Sequence, residues 1–233
     1  MRRGATLPSP GISPSAPSSR LAIAACSLLG LARNQPAEPW APVAPADLPA
    51  IEAILRQQMD PAVFPVPLDA LSAQLTVQQV EPGEFTVGTF RVQAIRLRHP
   101  GTTLGYRLTP AAGGPGMAYV TDNELGPGGH YETPASWRKD FVAFLRGAEL
   151  LIHDAMYTPE ELEEHRGWGH STFEEAVALA GEAGVKRLVL FHHEPEHGDE
   201  AVDALVAAAR RQARAKGLPA EVVAAQEGMT LTL

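Results

Sequence analysis

Hydrophobic and polar residues alternate along Phe90-Arg91-Val92-Gln93-Ala94-Ile95-Arg96-Leu97, and a period of two predicts a strand with one buried face. Short β-type runs at Gln74–Val80, Glu84–Val87, Thr103–Leu108 and Met117–Thr121 predict further strands, with a Gly/Pro turn at Ala111–Gly116. After Asp122 the pattern changes to helix alternating with apolar strand. Helices are predicted at Ser136–Arg146, Pro159–His165, Ser171–Ala183 and Asp199–Lys216. Strands are predicted at Glu149–His153, Lys186–Phe191, Glu221–Val223 and Met229–Leu233. Ser171 followed by Glu174 has the spacing of a capping box for the third of these helices. An earlier helix is expected from Asp47, a capping residue, to Gln58. Strands first and alternating β and α afterwards predict an α/β protein of layered sheet and helix.

Residues 1–46 do not share this patterning. Pro, Ser and Ala dominate, and such a stretch cannot bury enough apolar surface to offset chain entropy, so a low-complexity leader is expected before a folded domain over 47–233. Leu21–Ala32 is a short apolar island, and Ile23-Ala24-Ala25-Cys26 superficially resembles a lipoprotein cleavage box with too little apolar sequence before it. Cys26 is the single cysteine, which excludes an intramolecular disulfide and fits a reducing, cytoplasmic setting. No apolar run reaches the roughly 20 residues that span a bilayer, so no membrane association is expected. The net charge of −8, with 19 Lys and Arg, excludes broad binding to nucleic acid, which needs a basic surface.

The chemistry concentrates downstream. All eight histidines lie between His99 and His197. His99 ends one apolar run, Asp122 follows another, and His192 and His193 follow a third, while His170 stands just before a helix. Imidazole and carboxylate at the ends of separate strands are donor types that zinc accepts, and a carboxylate can bridge two ions. Taken singly, each has a plainer reading: His99 a loop histidine, Asp122 a cap, Asp154 a turn residue. His153 reads as a satisfied core histidine, His130 and His165 as surface, and His197 as part of a solvated acidic turn.

Leu97-x-His99 with Gly105-Tyr106-Arg107, Tyr119-x-Thr121-Asp122, Leu151-Ile152-His153-Asp154-Ala155, Gly167-Trp168-Gly169-His170-Ser171-Thr172 and Gly184–His193 occur in order over roughly residues 50–233. This set resembles the metallo-β-lactamase-fold hydrolases of the ribonuclease Z and cyclic-phosphodiesterase-like branch. The resemblance implies an αββα sandwich with an incomplete N-terminal half. It implies metal-dependent hydrolysis of a small phosphodiester or cyclic nucleotide through two divalent ions, zinc or else manganese. His99, Asp122 and His192 would be the downstream metal ligands. His170 and Asp154 would be the proton-handling pair, and Ser171 and His193 would contact substrate. A free edge on the sheet suits a homodimer. The His-x-His-x-Asp-His motif of that family is absent from the 233 residues, and low-complexity sequence stands in its place. That substitution favours a misread frame or start over natural truncation. The alternative reading is a catalytically inactive remnant acting as a binding or assembly module.

Overall fold

The computed structural model describes residues 51–71, 80–127, 129–218 and 221–233. These lie within one unit, Glu38–Leu233. The expected leader, the Asp47 cap and the strand at Gln74–Val80 fall wholly or almost wholly outside the described residues.

Among the described residues, seven strands form one sheet whose order across the sheet is the order along the chain. They are β1 (Gly83–Val87), β2 (Phe90–Arg96), β3 (Leu104–Pro110), β4 (Met117–Val120), β5 (Leu150–Asp154), β6 (Arg187–Phe191) and β7 (Glu221–Ala224). Strands β1 to β4 pair antiparallel, through short connections. From β4 to β7 the pairing is parallel, and such pairing requires crossovers. Helices α2 (Trp137–Leu145), α4 (Phe173–Ala183) and α5 (Asp199–Ala215) lie in those crossovers, with the short α3 (Pro159–Glu164) before α4. Helix α1 (Ile51–Gln58) precedes the sheet.

The periodicities explain which faces are buried. Along α4, Phe173, Ala176, Val177, Ala180 and Ala183 recur at helical spacing and pack into one core with Ala118, Val120, Leu151, Leu188 and Leu190 of the strands. Trp137, Phe141 and Leu145 of α2 and Val206, Ala209 and Ala213 of α5 complete that layer. On β2 and β3 the cross-strand pairs Val92–Leu108 and Ala94–Tyr106 are buried outside this cluster, so the sheet is apolar on both faces. The chain is thus an α/β fold with the helical layer and sheet of half a sandwich, as the resemblance implies for an αββα architecture with an incomplete N-terminal half.

Two local expectations are corrected. Helix α4 is capped by Thr172, not Ser171. Thr172 accepts from the Glu175 N–H at 3.1 Å, and the Glu175 carboxylate accepts from the Thr172 N–H at 3.0 Å. The box spacing is the predicted one, moved by one residue, because the Ser171 hydroxyl is engaged elsewhere. The segment Met229–Leu233 is not a strand. Met229 and Leu233 remain exposed, so burial does not drive pairing there, and the Arg187 guanidinium holds the tail through the Thr232 carbonyl at 3.1 Å.

Candidate metal centre

Strands β4, β5 and β6 are parallel neighbours, and their carboxyl ends lie at the same edge of the sheet, where open α/β sheets place their ligands. Each end supplies one acidic or imidazole group: Asp122 two residues beyond β4, Asp154 at the end of β5 and His192 directly after β6. The loop before α4 brings His170 to them. One donor atom from each of Asp122, Asp154, His170 and His192 lies within 4.8 Å of the others.

Backbone conformation marks two of these positions. Among the described residues, Asp122 (φ 50°) and His192 (φ 59°) are the non-glycine residues in the left-handed region. Such a conformation costs on the order of 1–2 kcal/mol and collects at functional sites, where the surroundings hold it in place. Here it ends both strands abruptly and turns the two side chains toward each other, with His192 Nε2 3.1 Å from Asp122 Oδ1. The Thr121 hydroxyl donates to the other Asp122 oxygen at 3.0 Å.

Asp154 is fully buried and saturated. Its Oδ2 accepts from His170 Nδ1–H at 2.7 Å and from the Asn123 N–H at 3.4 Å, and its Oδ1 from the Ser171 and Met156 N–H groups at 3.1 and 3.3 Å. A carboxylate oxygen only accepts, so the His170 proton of this bond sits on Nδ1. The His170 ring stacks on His192 with centroids 4.9 Å apart and meets His99 edge-on at 5.6 Å. His99 has the opposite arrangement: its Nδ1 accepts from the Gly101 N–H at 3.2 Å.

The supporting groups are buried polar residues. Ser171 is fully buried; its hydroxyl donates to the Asn123 carbonyl and accepts from the Leu125 N–H at 3.2 Å, so it fastens β4's exit to the α4 loop. His193 lies outside the cluster, its ring nitrogens buried beside the Ala225 backbone, and burial pushes its imidazole below the ordinary value. His153 is the core histidine expected. Its Nδ1–H donates to the Asp154 carbonyl at 2.6 Å, its Nε2 faces the Asn123 amide at 3.3 Å, and burial holds its pKa down. His130 is exposed. His165 is not plain surface: its ring stacks on Tyr157 at 4.7 Å. His197 is docked rather than solvated, with Nε2 2.7 Å from Glu161.

Sequence reasoning missed Asn123 and Glu124, both fully buried. Asn123 Oδ1 accepts from the Arg98 N–H at 3.0 Å and so ties the β2 exit to the β4 exit. Glu124 Oε2 accepts from the Gly167 and Gly169 N–H groups at 2.9 and 3.1 Å and from the Tyr131 hydroxyl. Burial first, and then this bond, raise the tyrosine's pKa above its ordinary value. The clamp matters because Gly169 (φ +92°) lies against the His99–Pro100 turn with no room for a Cβ. The visible signal was three consecutive polar residues, Asp122-Asn123-Glu124, where a single cap would have sufficed.

A mixed sheet carrying histidine and carboxylate donors at the ends of adjacent parallel strands is an α/β domain with a candidate metal site at the sheet edge. The model of the beta-lactamase superfamily domain matches residues 25–193, and the chain belongs to that family. It resembles ribonuclease Z of Brevibacillus brevis, 47% identical over 55 residues that cover 24% of this chain and 17% of that protein. It also resembles ribonuclease Z of Ignicoccus hospitalis, 45% identical over 53 residues, 23% of this chain and 18% of the relative. The matched stretches thus span less than a fifth of those relatives' length. Among solved structures, the metallo-beta-lactamase fold protein YhfI of Bacillus subtilis aligns with a TM-score of 0.46 and 22% identity, over 64% of this chain and 52% of that one. No helix among the described residues is long and apolar enough to cross a membrane.

The donor set limits what can be held. Catalytic zinc takes about three protein ligands per ion. Asp154 already accepts four hydrogen bonds, which leaves Asp122, His170 and His192 as the convergent set. Among the described residues this set offers three donors, the number that one catalytic zinc ion takes and fewer than two ions need.

Proposed function

We propose that this chain is a metal-dependent hydrolase domain acting on a phosphodiester, small and anionic rather than a long nucleic acid. The observation that carries the reading is the convergence of Asp122, Asp154, His170 and His192 at the ends of three parallel strands. Zinc suits imidazole and carboxylate donors, with manganese second. A divalent ion in such a site supplies Lewis acidity to a phosphoryl oxygen and makes water acidic enough to attack at neutral pH. The rest falls to the protein. Asp122 and His192 are held facing each other by their turned backbones. Asp154 fixes the His170 ring through Nδ1 and leaves Nε2 toward the substrate side. In the ribonuclease Z-like scheme that nitrogen hands a proton to the leaving oxygen, which requires the ring to carry a second proton. His99 stands at the rim beside His170. The Ser171 hydroxyl acts on substrate only indirectly, by placing the loop.

The net charge of −8 supports a compact phosphodiester, such as a cyclic nucleotide, over transfer RNA. The second reading, a catalytically inactive remnant acting as a binding or assembly module, is favoured by the shortage of donors for two ions. Incubating the chain with bis(p-nitrophenyl) phosphate and then with cyclic AMP, in zinc or manganese, tests the first against the second. Turnover abolished by chelator and restored by metal is expected. Absence of turnover under every metal condition, with metal bound, leaves the second reading.

A further inference from the structure

Trp168 is the largest hydrophobic side chain left exposed among the described residues, at 59%, and it stands two residues before His170. Two residues of chain span at most about 7 Å, so its Cα lies beside the candidate site. The other large hydrophobics exposed among the described residues fall within 63–71 and 229–233, segments that carry no site residue. The indole is held in place. Its flanking glycines, Gly167 (φ +87°) and Gly169 (φ +92°), both give their N–H groups to the buried Glu124 carboxylate, at 2.9 and 3.1 Å. The Trp168 N–H itself donates to the His165 carbonyl at 3.1 Å. The indole meets the His165 ring at 84°, with centroids 4.7 Å apart. His165 stacks on the buried Tyr157 at 4.7 Å, and Tyr157 meets His170 edge-on at 6.1 Å. A continuous series of ring contacts thus runs from the His170 imidazole to the exposed indole. The series is anchored from α3 as well: His165 Nδ1–H donates to the Glu161 carbonyl at 2.7 Å, and the Glu161 carboxylate accepts from His197 Nε2–H at 2.7 Å.

We infer that Trp168 is a specificity-determining residue whose indole stacks on the base of a nucleoside phosphate, the phosphate lying at the candidate metal centre. The inference rests on the phosphodiester reading above for the place of the phosphate, and it adds that the ester carries a nucleobase. An aromatic face already fixed in position loses little freedom when a flat ring docks on it, so the contact is spent on binding rather than on ordering. Stacking reads the π-face of a base and not its hydrogen-bonding edge, so purine and pyrimidine nucleotides should both be held. The net charge of −8 leaves a nucleotide's affinity to come from the metal end and from such a non-ionic contact, rather than from a basic surface.

The test is calorimetric titration of the full chain, with zinc present, by AMP and by ribose 5-phosphate, which differ only in the base. AMP should bind about 5–150-fold more tightly, the worth of one base–aromatic stack. Trp168→Ala should remove that advantage and leave the affinity for ribose 5-phosphate near that of the unaltered chain, while Trp168→Phe, which keeps an aromatic face, should retain most of it. AMP should also quench tryptophan fluorescence in the unaltered chain, and the quenching should be lost in Trp168→Phe. Hydrolysis of cyclic AMP, measured alongside, separates this inference from the reading it rests on. Turnover with AMP and ribose 5-phosphate bound alike overturns the platform and leaves the phosphodiesterase standing. An advantage for AMP that survives Trp168→Ala overturns it too, as does a dimer of the unaltered chain that Trp168→Ala dissociates with no change in base preference, which assigns the indole to a contact between copies. A Trp168-dependent advantage without turnover keeps the platform and removes the phosphodiesterase. Neither turnover nor binding of AMP overturns both.

Discussion

Gly169 should be the least replaceable glycine near the site, and the size of the effect can be worked out. A Cβ at Gly169 would overlap the His99 ring, standing 2.9 Å from Cγ, and would lie 2.7 Å from Pro100 Cδ. Ordinary contact begins near 3.4 Å, so the Pro100 ring must retreat about 0.7 Å, and the His99 ring further. Pro100 has little freedom to do so. Overpacking of this kind costs about 1–3 kcal/mol. The backbone at φ +92° adds about 1–2 kcal/mol for any side chain. Gly184 isolates the second contribution: it closes α4 at φ +67° with nothing within 4 Å of its Cβ position. In urea, with a slope of about 2 kcal/mol/M, Gly184→Ala should lower the unfolding midpoint by about 0.5–1 M and Gly169→Ala by about 1–2.5 M. Gly169→Ala should also move the His99 ring resonances. Equal midpoints for the two variants would show that Gly169 does not abut the His99–Pro100 turn, and the placement of the 167–169 loop would be wrong.

Thr172→Ala should cost about 1 kcal/mol by removing the α4 cap, whereas Ser171→Ala should cost about 1–3 kcal/mol by stranding the buried Asn123 carbonyl and the half-buried Leu125 N–H; a pair of urea curves, with α4 amide exchange accelerated only in the first variant, separates them. Glu124→Ala orphans the Gly167 and Gly169 N–H groups and the Tyr131 hydroxyl, and should cost about 2–4 kcal/mol, with faster exchange at both glycine amides. Burial holds the folded-state pKa of His153 below the ordinary 6.5, so the unfolded chain takes up a proton there that the folded chain refuses. Its contribution to stability is therefore complete above pH 6.5 and is lost as pH falls below it, by at most about 1.4 kcal/mol per pH unit. Urea midpoints at pH 7.5 and 5.5 check this, and a fall unchanged in His153→Gln would refute the assignment to His153.

Period-two and helical patterning was enough to locate β2, β4, β5, β6 and the large helices, because burial on a defined face leaves its spacing in the sequence. The cap of α4 slipped by one residue because Ser171 and Thr172 both satisfy the local rule, and only the distant Asn123 and Leu125 decide which hydroxyl is taken. The tail at Met229–Leu233 has strand-like residues but no strand to bury it, a matter of tertiary context. Asp122 and His192 were legible from their place after strands. His99 was legible in the same way, at the end of an apolar run, yet the nitrogen it presents depends on the Gly101 amide, which no spacing reveals. Glu124 was invisible for a similar reason: its partners are backbone amides more than 40 residues away.

Because each strand neighbours in space the strand it follows in the chain, a ribosome delivers every strand beside the one it must join. The β1–β4 meander closes through short connections and can form before any of the parallel half exists; each later strand then needs only one crossover to dock. Such local ordering keeps loop-closure costs small and favours stepwise growth from one edge. The metal donors are completed late in that sequence: Asp122 comes with β4, but His192 waits until β6 has been added. A nascent chain stopped before β6 would carry most of the sheet and only part of its candidate site, so metal capture would report the arrival of β6, ahead of the last helix and β7.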